Sequence, residues 1–302
     1  MNDPDFQPQA GVPYALQPNL ALVLAPNPSA MTGPGTNTYL LGQTSLAVID
    51  PGPQDEAHLA ALLAAIDGRP VSHIIVTHSH LDHSPLAGPL SQAVGAPVFA
   101  FGDTYAGRSA VMQHLADSGM AGGGEGLDVD FAPDVILQDH AVITGDDWTL
   151  KVIHTPGHLG NHIALQWDDA VFVGDLVMGW STSLVSPPDG DMTDFLASCD
   201  KLRHIPARVH YAGHGAPITQ PHARLSELIA HRSKRSAAIL DALAGKPQNV
   251  SSLVDAIYGD LDTRLKGAAG RNVLAHLIDL YVKNEVAPIG MLGPDAQFAR
   301  VR

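Results

Sequence analysis

The stretch VTHSHLDHS, Val76 to Ser84, places three histidines and one aspartate within six positions, directly after the apolar run HIIVT. Few features constrain a chain more. Side chains two apart on an extended strand point the same way, so His78 and His80 converge on one side, while Asp82 and His83, past the strand, turn toward another. Imidazole plus carboxylate is the donor set that Zn2+ favours. The pattern therefore predicts two neighbouring metal positions. A solvated polar loop accounts for any one of these side chains but not for the set.

Two ions need further ligands from elsewhere in the chain. HTPGHLGNH offers His158 at a Pro-Gly turn after the strand LKVIH, FVGDLVMG ends a strand at Gly174-Asp175, and YAGHGAP leaves His214 between glycines. All three lie where a strand gives way to a loop, the usual edge for a site in a layered α/β protein. Glycine beside each lets the backbone come close to an ion. Asp50 in VIDPG also ends a strand, where it either caps a turn or bonds to a metal ligand from behind.

The rest of the chain supplies the frame. Its 302 residues, 45% hydrophobic, suffice for one large domain, or for a domain of about 200 residues with a smaller companion. The start lacks the basic flank and unbroken apolar stretch of a signal peptide, and no run reaches the ~18 apolar residues of a membrane span. A soluble cytoplasmic protein is expected. The single Cys199 excludes an intramolecular disulfide and is read as a structural thiol. Short β-rich runs such as ALVLAP, NTYLLG, SLAVID and AVFVGD alternate with helical patterns over about 215 residues, which predicts an α/β layered domain. The pair WTLKVIHT and HIALQW predicts an antiparallel hairpin. In QDEAHLAALLAAID, Leu59, Leu62, Leu63 and Ile66 form the expected buried stripe. The Gly-rich Ser118–Pro133 segment reads as a mobile surface loop.

Composition shifts near His222. Residues 1–221 carry 6 Lys+Arg against 23 Asp+Glu, a balance of -17, whereas 222–302 carry 11 against 8, or +3. Phosphate backbones are bound through Lys and Arg, so the acidic segment disfavours a long nucleic acid as substrate. The tail predicts three helices and a terminal hairpin, a winged-helix-like unit. Its candidate recognition helix, Asn272 to Asn284, offers only Lys283 with Arg271 beside it and Asp279 opposing. Packing or homo-oligomerisation is the expected use, with the stripe Leu225, Leu228, Ile229, Ile239 and Leu240 buried.

THSHLDH, TPGHLGNH, VGD and GHG, in that order, resemble the metallo-β-lactamase superfamily, whose fold is an αββα sandwich with a metal site at one edge. GPGTNTYLLG, VMGWSTSLVSPPDGDM and LIAHRSKRSAAIL with the helical tail are similar to the beta-lactamase-like protein 2 group. The likeness spans roughly residues 21–286, dividing at 221 into a catalytic domain (1–221) and a winged-helix-like domain (222–302). It implies that His78, His80 and His158 hold one zinc, that Asp82, His83 and His214 hold a second, and that Asp175 bridges them. Two features depart from the family: SPLAG stands where Ser-Gly-Gly usually follows the motif, and Ala212-Gly213 replaces Pro-Gly before the last ligand. Both touch helix start and loop shape, hence substrate fit before metal binding.

Two Zn2+ lower the pKa of a bridging water toward ~7, so the expected activity is a zinc-dependent hydrolase using a metal-bridging hydroxide on a small ester, thioester, lactone or amide. Asp82 is also a candidate to orient the water or shuttle a proton. The absence of a Gly-x-Ser-x-Gly elbow or a Cys/His pair fits a mechanism without a protein nucleophile. The group resemblance implies an alternative, a metal-dependent phosphodiesterase or endoribonuclease, and a regulator that binds nucleic acid through its tail is the third reading. Mn2+ and Fe2+ suit the same ligands, although iron redox members usually carry Glu where His80 stands. Of the other histidines, His58, His114, His204, His222 and His231 are expected on helical surfaces. His73, His140, His154, His210 and His276 are expected to be structural or solvated. His162 is placed opposite the metal edge, with a lesser expectation of a pocket role, and Trp180 and Ser181 are candidate pocket residues.

Overall fold

In the computed structural model, residues 6–120, 126–259 and 261–301 are described, and their strands form two large sheets and a small one. The first sheet contains β1 (Tyr14–Gln17), β2 (Leu20–Leu24), β3 (Asn37–Leu41), β4 (Leu46–Ile49), β5 (Val71–Ile75), β6 (Val98–Ala100) and β7 (Val135–Ile136), in that order. Antiparallel pairing up to β4 gives way to parallel pairing from β4 to β7. Parallel neighbours need a crossover. Helix α1 (Glu56–Ile66) makes the one from β4 to β5, α2 (Ala87–Val94) the one from β5 to β6, and α3 (Ala110–Asp117) lies between β6 and β7. The second sheet contains β8 (Val142–Thr144), β9 (Thr149–His154), β10 (Ile163–Trp167), β11 (Ala170–Gly174) and β12 (Val209–Ala212). Only β11 and β12 are parallel, linked through α4 (Met192–Arg203), and the expected β9–β10 hairpin pairs His154 with Ile163.

The central strands of each sheet are buried on both faces, which explains their near-continuous apolar sequences. Leu22, Tyr39, Leu41, Ile49 and Ile75 of the first sheet meet Leu150, Val152, Leu165, Phe172 and Tyr211 of the second in a shared core. On the outside of the first sheet, Leu62 and Ile66 of α1 and Leu90 of α2 cover Val48 and Ile74. Outside the second, Phe195 and Leu202 of α4, with Leu225 and Leu228 of α5 (Pro221–Ala242), cover Val171 and Val173. Two helical layers around two mixed sheets make the αββα sandwich that the sequence motifs implied.

The tail follows the expected plan of three helices and a hairpin. Helices α5, α6 (Val250–Tyr258) and α7 (Lys266–Val282) pack with β13 (Gln248–Asn249), β14 (Val286–Ile289) and β15 (Gln297–Arg300) around Ile239, Leu253, Val273, Leu277 and Phe298. Met112 and Leu115 of α3 join this cluster. Helix α5 thus contributes to two cores, the sandwich's at its start and the tail's at its end. Within its expected stripe, Leu225, Leu228 and Ile239 are buried, with Ile229 and Leu240 half-buried. The candidate recognition helix begins earlier than expected, at Lys266, and its Asp279 is buried, accepting from Thr193 Oγ1 at 2.8 Å and Lys283 Nζ at 2.7 Å.

Two expectations need correction. On α1 the buried face is His58, Leu62 and Ile66, while Leu63 is exposed. Asp55 caps the helix by accepting the His58 N–H, which fixes the rotation so that His58 Nε2 meets Thr38 Oγ1 at 2.9 Å; the polar His58 occupies a position that an apolar count misses. The Gly-rich segment is only partly a loop open to solvent. Its residues 121–125 lie outside the described residues, but Leu127 bridges His80, Asp128 accepts from Ser84 Oγ at 2.6 Å and Phe131 is buried. Local anchors outweigh the flexibility of its composition.

Because Leu228 is 1% exposed and lies where α5 meets the sandwich, Leu228→Ala is expected to cost about 2–5 kcal/mol. Leu63→Ala, on the outer face of α1, should stay within about 0.5 kcal/mol. Denaturant unfolding of the two variants measures the contrast, and equal losses would contradict this assignment of faces.

Candidate metal centre

The two sheets deliver their loops to one edge. After β5 the chain runs through Thr77 to His83, and after β11 it reaches Asp175 through Gly174 at φ 45°. After β12, Gly213 N–H donates to Gly174 O at 2.8 Å, while Asn37 N–H donates to Gly213 O at 2.8 Å. These bonds set His214 beside Asp175 and bridge it to Thr36. A Cβ on Gly213 would lie 2.3 Å from Asp175 Oδ1 and 2.7 Å from His83 Cε1, so the close approach at this position requires glycine.

All seven sequence-predicted side chains come together here. His78 Nε2 and His158 Nε2 lie 3.1 Å and 2.9 Å from His80 Nδ1. Asp82 Oδ2 lies 3.4 Å from His83 Nε2 and 3.1 Å from His214 Nε2. Asp175 stands between the groups, with Oδ1 3.5 Å from His83 Nε2 and Oδ2 3.3 Å from His214 Nε2 and 3.7 Å from His158 Nε2. Five of the seven are buried; His80 and Asp82 reach solvent and form the mouth.

The outer nitrogen of four imidazoles is held by an acceptor, which sets the tautomer. His158 Nδ1–H donates to Leu184 O at 2.8 Å, His214 Nδ1–H to Gly35 O at 3.1 Å and His83 Nδ1–H to Asp50 Oδ2 at 3.0 Å. Thr77 Oγ1 gives its own proton to Asp50 Oδ2, so His78 Nδ1–H donates to Thr77 Oγ1 at 3.0 Å. When these rings are neutral, their Nε2 lone pairs all point inward. Two of them converge on His80 Nδ1, where a single proton can satisfy at most one pairing well. Farther in, His83 Nε2 and Asp175 Oδ1 are buried without a hydrogen-bond partner. Buried acceptors facing acceptors are costly. A cation removes the conflict, and three nitrogens with carboxylates fit a divalent ion.

The titration behaviour divides the cluster in two. Burial lowers the pKa of His78 and His158 and takes His80 down to about 3, so this trio is neutral and ready to donate lone pairs. Burial alone would also lower His83 and His214, but the surrounding carboxylates win. Asp82, Asp175 and Asp50 raise His83 well above its ordinary value, and Asp175 and Asp82 raise His214 to about 9. Burial works to raise the two carboxyls, yet His83 and His214 hold Asp82 and Asp175 below the usual carboxylate range. With no ion, protons on His83 and His214 supply the positive charge that the carboxylates demand.

The supporting residues were less legible. Asp50 does more than cap a turn, since it also accepts the Thr77 N–H at 2.7 Å and so ties the strand end to His83. His162 sits behind the site rather than opposite the metal edge. Its ring is 5.2 Å from that of His78, its Nε2 accepts the Asp175 N–H at 3.2 Å and its Nδ1 meets Thr155 Oγ1 at 2.9 Å. The Pro-Gly turn after His154 folds His158 and His162 back toward the same strand ends, which a four-residue spacing in sequence does not disclose. Thr36, not singled out in the sequence, donates to Asp82 Oδ2 at 3.3 Å. Trp180 packs against Gly215, close enough that a Cβ there would lie 2.8 Å from its ring, whereas the Ser181 carbonyl is taken by Arg224 at 2.5 Å.

The chain has relatives among known proteins. The profile of the Metallo-beta-lactamase superfamily matches residues 31–214, and that of the Beta-lactamase associated winged helix domain matches residues 250–289. A beta-lactamase-like protein 2 homolog of Drosophila melanogaster is 31% identical over 274 residues, covering 85% of this chain and 86% of the relative. An atrochrysone carboxyl ACP thioesterase of Aspergillus fumigatus is 28% identical, covering 82% of this chain and 75% of the relative. Among solved structures, a metallo-beta-lactamase family protein from Thermus thermophilus is 27% identical with a TM-score of 0.75, over 95% of this chain and all of the other. A Beta-lactamase domain protein from Burkholderia ambifaria shares the fold at a TM-score of 0.80 and 23% identity, covering 99% of this chain and 96% of the other. The chain belongs to the metallo-beta-lactamase superfamily.

Proposed function

We propose that the chain is a hydrolase of small acyl compounds, an ester, thioester, lactone or amide, that works with two divalent ions. His78, His80 and His158 hold one ion, Asp82, His83 and His214 hold the other, and Asp175 lies between them. The observation that carries this reading is the convergence of the His78, His80 and His158 nitrogens, beside a buried His83 Nε2 and Asp175 Oδ1 that lack a hydrogen-bond partner. Zn2+ suits these donors best, and Mn2+ and Fe2+ are compatible with them. Bound there, such ions would supply Lewis acidity that lowers the pKa of water and stabilises charge on the oxygen of the bond under attack. The protein's residues do the rest. Asp82, 26% exposed at the mouth and held by Thr36, is placed to accept a proton from water and pass it to the leaving group. Asp50 and the Leu184 and Gly35 carbonyls keep the rings turned inward. In the proposed division, residues 1–221 carry the chemistry and 222–302 the packing.

Charge supports an acyl substrate over a phosphodiester. Residues 1–221 hold only six Lys and Arg. Arg69 binds the Ile66 and Ala65 carbonyls, Arg108 pairs with Asp189, Lys201 with Asp139, Arg203 with Asp200 and Arg208 with Asp169, and Lys151 is exposed in the middle of β9. None of these contacts places a cation beside the histidine cluster to hold a phosphate. The thioesterase named among the relatives points in the same direction.

A hydrolysis panel of lactones, thioesters, esters, β-lactams, phosphodiesters and short RNA, run on the zinc-loaded protein, tests the proposal. Turnover of an acyl substrate is expected, and activity confined to RNA or phosphodiesters would replace it with the nuclease reading. Elemental analysis after metal loading should approach two equivalents per chain, and a plateau at one would remove the bridging role of Asp175. Asp82→Ala and His214→Ala should each lose most hydrolysis, on the order of 100-fold or more, while keeping the circular dichroism spectrum of the parent. Parental turnover in either would count against the two-ion mechanism.

The raised histidines give a pH signature. The folded-state pKa of His214 is raised from 6.5 to about 9, so its contribution to the stability of the chelated protein is present below pH 6.5 and lost as pH rises through 9. Thermal unfolding of chelated protein should therefore show Tm falling between those values. In zinc-loaded protein the bound ion replaces the proton and adds stability of its own, so this decline should vanish. Parallel pH profiles with and without zinc would rule out the assigned charge states.

A further inference from the structure

Leu184, whose carbonyl holds His158, belongs to the loop that leaves Asp175 and ends at α4. The grip comes from the tail. Arg232, 2% exposed on α5, donates through Nη2 to Ser183 O and through Nη1 to Asn272 Oδ1 at 3.1 Å. Asn272 Oδ1, on α7, also accepts the Val185 N–H at 3.3 Å. The two residues thus hold the peptide groups on either side of Leu184. Ser183 in turn donates through Oγ to the Asp175 carbonyl at 2.5 Å and the Leu176 carbonyl at 3.1 Å, closing the loop back onto a second member of the cluster. About two turns earlier on α5, Arg224 donates to Met178 O at 2.8 Å and Ser181 O at 2.5 Å.

We propose that Arg232 and Asn272 are positioning residues of the metal centre, fixing the Ser183–Val185 backbone so that the Leu184 carbonyl keeps His158 turned toward its fellow ligands. This rests on the reading of His158 as a metal ligand. Packing alone does not explain Arg232. Among the described residues it makes no ion pair with a carboxylate; its guanidinium lies 5.1 Å from the Phe195 ring and its Nε is buried without a partner. Burying a cation this way carries a desolvation cost that an apolar side chain of similar volume avoids. What the guanidinium adds is a rigid fork that reaches two acceptors at once, and here the acceptors are a backbone carbonyl and the amide that fixes the next peptide. Helices α5 and α7 therefore complete the centre from outside, through residues that are not among its seven ligands.

Groups that orient a metal-bound histidine from behind change metal affinity by about 10–100-fold when lost. Here the orienting carbonyl remains and only its support is removed, so the lower figure applies. The test uses the full-length protein, stripped with a chelator and titrated with Zn2+ against a chromophoric competitor and with Co2+ by its visible spectrum. Arg232→Met and Asn272→Leu are expected to weaken one of the two binding events about 10-fold and to alter the Co2+ bands. Asn272→Asp, which keeps an acceptor oxygen, should restore both. Leu253→Ala removes a fully buried side chain of the same tail without touching the loop, and should lower Tm while leaving affinity and spectrum as in the parent. If Arg232→Met does not fold, Arg232→Lys retains the charge and should still lose affinity, because an ammonium cannot span both acceptors. Parental affinity and spectrum in folded Arg232 or Asn272 variants would overturn the proposal, as would the same loss from Leu253→Ala or a parent that binds no metal. These readouts need no substrate, so a failure of the hydrolysis panel and a failure of this inference are separate results.

Discussion

Five imidazoles and two carboxylates directed at one small volume form the constraint on which the rest of the structure depends. Such a cluster opposes folding, because the donors repel one another and burial removes the water that would separate them. The chain accepts this by fixing four of the five rings from behind, through Asp50, Thr77, Leu184 O and Gly35 O. Those supports come from different loops, so the orientation of the site is set by how the two sheets stack. A sandwich whose central strands are buried on both faces supplies that rigidity, since side chains packed between two layers cannot shift without breaking close packing.

Backbone economy at the edge matters as much as the side chains. The parallel pair β11–β12 brings Gly174 and Ala212 into register, and the chains then separate to release Asp175 and His214 within hydrogen-bonding distance of each other. At Gly174 a Cβ would come 2.6 Å from His162 Nε2 and 2.8 Å from Thr77 Oγ1. A larger residue would push apart two groups that hold Asp175 and His78 in place. The glycines beside the ligands thus serve packing between ligand-bearing loops, a more specific role than approach to an ion.

The parts legible in the sequence share one property: their information is local. HSHLDH is dense enough to be read alone, and His158, Asp175 and His214 each end a strand next to glycine or a turn. The alternation of strands and helices gave the layers for the same reason. His58 and Leu63 show where local reading stops, because the rotation of α1 is set by a cap and by Thr38, 20 positions away in sequence. The supports of the site are less accessible still. Leu184 and Gly35 act through carbonyl oxygens, which every residue has, and His162 acts through a turn that reverses its apparent direction. Arg232 sits in HRSKRS, where a reader counting charge sees a solvated basic face. Only the packing of α5 on the loop after Asp175 reveals that this one arginine is buried.

The asymmetry of charge follows from the same centre. A cluster built to hold cations gains from acidic surroundings, which raise the local concentration of metal ions and favour the charged state of the site once filled. The -17 of residues 1–221 is therefore suited to metal capture and unsuited to a polyanion. A neutral acyl carbonyl meets no such penalty. Two cations of the tail, Arg224 and Arg232, are engaged with carbonyls of the loop that leaves Asp175. These two positive charges are thus committed to holding the backbone in shape. For the proposed hydrolase, such a balance of charge favours a neutral acyl substrate over a phosphate.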